Sequence, residues 1–116
     1  MLVHRVFAVG VILLAACGSI AAIVGVFRPH LLAAVRICLR ITIAAIASEA
    51  VIGIVLVATG NRPQQLLHWV YGAATLCALP LAMSVGRRMG GRDERVYLAG
   101  GAVLTVLFAL RALATG

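Results

Sequence analysis

Apolar residues in this chain fall into four long runs separated by short polar breaks. The runs read from about Val6 to Phe27, Ile41 to Ala58, Leu66 to Val85 and Val96 to Leu113. A helix needs about 20 apolar residues to cross a hydrocarbon core of about 30 Å, and each run is near that length. Between them lie Arg28-Pro29-His30, the turn Thr59-Gly60-Asn61-Arg62-Pro63, and the glycine-broken segment Gly86–Arg95. Proline and glycine in these breaks end helices, by removing a donor or by tolerating left-handed backbone. The pattern predicts an all-α integral membrane protein, a single four-helix transmembrane bundle in up-down order over residues 1–116.

Finer patterning adds detail to each run. Arg36 and Arg40 stand four apart, on one helix face. Their long stems can snorkel to headgroups, so residues 31–40 read as an interfacial extension of the second span. In the third, Ala74, Ala78, Ala82 and Gly86 form a small-residue stripe along which another helix can pack closely. Pro80 lies inside that span, where it is expected to kink the helix. Gly100-Gly101 offers the fourth span a similar close approach.

Composition agrees with a membrane class. Of 116 residues, 64% are hydrophobic and only 11% charged, with a mean hydropathy of +1.15. A soluble domain of this length leaves too much of its surface wet to hide that apolar content. The net charge of +7 comes from ten arginines set against Glu49, Asp93 and Glu94. Seven of them (Arg28, Arg36, Arg40, Arg87, Arg88, Arg92, Arg95) fall on one predicted side, and Arg5, Arg62 and Arg111 on the other. The positive-inside rule then puts both termini and the Gly60–Gln65 turn outside a bacterial-type plasma membrane. The inner arginines suit anionic lipid headgroups, Asp93 and Glu94 suit the start of the fourth helix, and no segment is long enough for a nucleic-acid module. Cys17, Cys38 and Cys77 stand singly, with no disulfide or zinc spacing. Residues Leu14 to Cys17 also read as a lipoprotein cleavage site, but the apolar run continues past Cys17, which favours a retained helix.

A few polar residues carry the candidate chemistry. Glu49 lies mid-span, where an ionisable group is costly and points to a function. Gly53, one turn on, clears the bulk beside it. His68 opens the third span next to Trp69 and Tyr71, as an interfacial residue or a metal or haem ligand. With about 1.5 Å of rise per residue, Glu49 is about 16 Å below Gly60 and Arg111 about 7 Å below the chain end. Glu49 and Arg111 are therefore expected to approach one another in depth. Arg62, His68, Tyr71, Arg111 and Glu49 define an outer-half pocket suited to haem propionates, a quinone carbonyl, a lipid phosphate or an anion. The other reading of these residues is an internal salt bridge. No catalytic residue and no specific metal is assigned.

The run Glu49…Ile52-Gly53…Val57…Gly60…Pro63…His68 resembles the helix–turn–helix of the haem A synthase family, and the four-helix plan resembles cytochrome b561-like haem proteins. The resemblance implies that His68 is an axial haem ligand and that a second histidine stands on another helix. His30 falls on the opposite membrane face and His4 precedes the first span. A five-coordinate haem, a ligand from a second subunit, or no haem then follows. Small multidrug transporters carry their glutamate in the first helix, and dual-topology fluoride channels carry mid-membrane asparagine and phenylalanines; this chain has neither arrangement. Three function classes are carried forward. One is a redox-associated binder of haem b or a quinone. The second is a structural or assembly subunit, as a homo-oligomer or in a larger membrane complex. The third is a small proton-coupled transporter using Glu49.

Overall fold

The computed structural model describes residues 2–116, and those residues form four helices and no strand. They are α1 (Leu2–Phe27), α2 (Leu32–Ala58), α3 (Leu66–Met89) and α4 (Gly91–Thr115). A single 3-10 turn, Pro29–Leu31, joins α1 to α2. All four helices are long and apolar enough to cross a membrane. The molecule measures 47 × 21 × 19 Å, so its long axis exceeds the hydrocarbon thickness of about 30 Å.

Small residues and a few leucines face inward, and most of the large apolar residues face outward. The core is thin: Ala22, Val35, Leu39, Leu79, Leu98 and Ala102 are buried together. Leu13, Ile20, Phe27, Ile37, Leu66 and Leu81 are instead more than half exposed. A protein in water rarely leaves so much contiguous apolar surface open; lipid tails are a good solvent for it, and packing of small residues then drives association. The polar residues of the core satisfy themselves locally. Ser19, Thr42, Thr75 and Thr105 each donate a hydroxyl to the carbonyl four residues earlier.

Helices α3 and α4 pack along their length, α1 packs against α4 and α2, and α2 packs more sparsely against α3. The predicted small-residue stripe works at the α3–α4 seam. A Cβ built on Gly101 would come within 2.3 Å of Ala82 Cβ, so only glycine permits this approach. The joint between the two helices is Gly90-Gly91, with φ of 66° and 57°. Two successive left-handed residues are costly for anything but glycine. α3 continues unbroken through Pro80.

Several expected boundaries shift. The first helix starts at Leu2, not Val6, and brings His4 onto its first turn. Residues 32–40 are helical and continuous with the rest of α2, with Val35 and Leu39 buried. Arg36 turns inward to Glu94, with Nη2 to Oε2 at 2.6 Å and Nε to Oε1 at 3.0 Å. Glu94 is only 2% exposed. It occupies the first turn of α4 as expected, yet its main partner is a guanidinium and not only the helix dipole. Arg95 donates to the carbonyl of Val26 near the end of α1. Two residues assigned to the lipid-facing rim are thus fasteners between helices. A guanidinium finds a matched planar carboxylate there, which satisfies it better than a headgroup of variable position. Arg28, Arg40, Arg87, Arg88 and Arg92 remain exposed.

Candidate functional site

At the end of the molecule opposite this fastening, three helices each contribute one polar side chain to a common spot. The first turn of α1 supplies His4, α2 supplies Glu49, and the first turn of α3 supplies His68. His4 Nδ1 and Glu49 Oε1 lie 2.7 Å apart. At that separation the two atoms repel unless a proton lies between them. The directions nevertheless fall outside hydrogen-bond geometry, and Glu49 Oε1, Oε2 and His4 Nδ1 are buried with no hydrogen-bond partner among the described residues. The two groups are in contact, and the polar capacity of both is left incompletely satisfied.

The glycine one turn from Glu49 gives this contact its room. A Cβ on Gly53 would touch His4 Cε1 at 3.5 Å, so the imidazole of α1 lies in the space that α2 leaves open. The rings of His4 and His68 meet edge to face, 6.2 Å between centroids and 73° between planes. His68 is anchored on its other side, with Nδ1 2.8 Å from the carbonyl oxygen of Ala112 in α4. A carbonyl only accepts, so Nδ1 carries the proton and Nε2 is left with its lone pair in the neutral ring.

These residues border a cleft of about 310 Å³ lined by all four helices and by Asn61 and Pro63 of the α2–α3 turn. Its remaining lining is largely apolar, including Ile46, Val57, Leu76 and Ala109, with Trp69 at the rim of α3. Concave, mostly apolar cavities with a few convergent polar groups are the usual form of small-molecule sites.

Of the five residues expected to share a pocket, Glu49 and His68 line the cleft, whereas Tyr71, Arg62 and Arg111 do not. Arg62 and Arg111 are exposed. The Arg111 guanidinium lies 5.9 Å from the centroid of the Tyr71 ring, as a cation–π pair on the flank. The expected approach of Glu49 to Arg111 is replaced by the contact with His4. Depth along the helices matched Glu49 with Arg111, but rotation about the axes turns the arginine outward.

Sequence reasoning missed His4 and Arg5 as cleft residues. The signal was present. Leu2 and Val3 precede His4, so the apolar run can begin a turn earlier, and the only charged groups within it then fall at its outer end. Compared with models of known protein families, with curated proteins and with solved structures, the chain matches none.

Proposed function

We propose that the chain crosses a plasma membrane four times in up-down order, termini outside, and binds a redox cofactor in its outer cleft. The observation that carries this reading is the convergence of His4, Glu49 and His68 from three helices on a largely apolar cleft. Ionisable groups inside a membrane protein are expensive and tend to mark a site. Three of them together, two (His4 and Glu49) with unsatisfied buried atoms, are hard to account for as packing alone.

Two cofactors suit this lining. Haem b is supported by the two imidazoles. His68 has Nδ1 bonded to the Ala112 carbonyl oxygen, which is how ligand histidines are commonly oriented through their second nitrogen, and His4 Nδ1 lies 2.7 Å from Glu49 Oε1. Both keep Nε2 for the iron, and His4 supplies the second histidine that the haem A synthase resemblance implies. Bound there, haem would supply one-electron chemistry. A quinone is supported by the modest cavity volume and the largely apolar lining. Arg5 lies among the lining residues, while Arg62 and Arg111 stand outside the cleft.

An absorbance spectrum of the purified, dithionite-reduced protein tests the haem form. A Soret band that disappears in His68→Ala and weakens in His4→Ala is expected. A colourless preparation after haem supplementation removes haem, and organic extraction then tests for quinone. The structural-subunit reading has its own support in the Arg36–Glu94 and Arg95–Val26 fastenings, which show polar groups holding helices together. Under it, His68→Ala lowers stability and no ligand is recovered by either method.

A further inference from the structure

The hydrogen-bonding character of the cleft narrows the ligand further. Two polar groups reach it with acceptor capacity unused. Glu49 has both oxygens buried and unpartnered. His68 has committed its N–H to Ala112, which leaves Nε2 as an acceptor. Both therefore call for donors. The oxidised form of a quinone offers carbonyl oxygens, which meet a carboxylate with repulsion. The apolar edge of a porphyrin leaves the same oxygens unpaired. A hydroxyl on an aromatic ring donates to either group, and the ring body suits apolar walls with Trp69 beside them.

We propose that the cleft selects the reduced, dihydroxy form of a quinone, with Glu49 accepting a hydrogen bond from one ring hydroxyl and His68 Nε2 available to accept from a hydroxyl. The close approach of His4 to Oε1 holds the carboxylate side of the pair in place. This assignment rests on reading the cleft as a redox-cofactor site, and it concerns binding preference, not turnover.

Trp69 is the only tryptophan of the chain and lines the cleft, so its emission reports on occupancy. Duroquinone and duroquinol, both without a lipid tail, are titrated anaerobically into the purified protein in phosphatidylcholine nanodiscs, with empty discs as blank. Saturable binding with preference for duroquinol is expected. Glu49→Gln should weaken the quinol by about tenfold or more, the scale of a hydrogen bond to a charged acceptor, and should weaken the quinone far less. Glu49→Gln keeps one carbonyl acceptor but loses the charge and gains a donor suited to a quinone carbonyl, whereas Glu49→Asp keeps the carboxylate and should keep the preference for quinol. Circular dichroism and gel filtration establish that the variants are folded.

Preference for duroquinone, or quinol binding unchanged in Glu49→Gln, overturns the assignment while leaving a quinone site. Binding of neither form to the unsubstituted protein also overturns it. A haem titration of the same sample then separates the two failures, since a Soret band dependent on His68 preserves the broader reading and its absence removes that as well.

Discussion

His4 and Glu49 meet across α1 and α2 because Gly53 has no side chain to keep them apart. A methyl group at position 53 makes an ordinary contact with His4 at 3.5 Å, whereas a larger side chain displaces the imidazole. Gly53→Ala should retain ligand binding and Gly53→Leu should lose it, as measured by Trp69 emission, with the helical circular dichroism unchanged in both. At this scale the sequence was informative about chemistry and poor about partners. The cost of a mid-span carboxyl singled out Glu49, and the small residue beside it marked where something else would enter. Its occupant was not legible, because helix rotation is set by packing between helices and leaves no mark on depth. The sequence paired Glu49 with Arg111 by depth, and only the bundle geometry brings His4 to it instead.

Among the helices, the tightest seam is α3 against α4. A methyl on Gly101 would overlap Ala82 Cβ, so Gly101→Ala is expected to destabilise the protein by about 1–3 kcal/mol, the usual cost of overpacking. Ala82→Gly in the same chain should recover most of that loss, and unfolding in mixed detergent micelles measures both. The fastening of α2 to α4 makes a different prediction. Removing Glu94 from this half-buried ion pair leaves the Arg36 charge without its carboxylate, whereas replacing both partners is milder. Glu94→Ala should therefore destabilise more than Glu94→Ala combined with Arg36→Met, by the same unfolding assay. The stripe was visible in the sequence as small residues at four-residue spacing, and the glycine pair as two adjacent glycines. The ion pair was not, since Arg36 and Glu94 lie far apart in the chain and each had an adequate local explanation, a headgroup for one and a helix start for the other.

For the whole molecule, the four apolar runs were enough to give the helix count and the breaks between them, because spanning segments are set by length and composition. Their relative arrangement was not, as α1 packs against α4 as well as against its neighbour in sequence. The proposed orientation is open to a labelling test. Asn61→Cys, in a chain with Cys17, Cys38 and Cys77 replaced by alanine, should react with a membrane-impermeant maleimide added to intact cells. A cysteine at Arg88 should react only after the cells are opened, and the reverse result inverts the topology. The way His68 is held has a consequence for the order of assembly. Its anchor, the Ala112 carbonyl, belongs to the last turns of α4, while its neighbour His4 belongs to the first turn of α1. During synthesis α1 and α2 can pair, and bring His4 to Glu49, before the final helix exists. The imidazole of His68 can then take its fixed orientation only after α4 has been inserted and returned beside α1. Contacts of such long sequence separation form late because the intervening chain must first be ordered. On the proposed reading, ligand capture would then be the closing event in biogenesis, and an arrested chain that lacks the last turns of α4 would be inserted yet unable to bind.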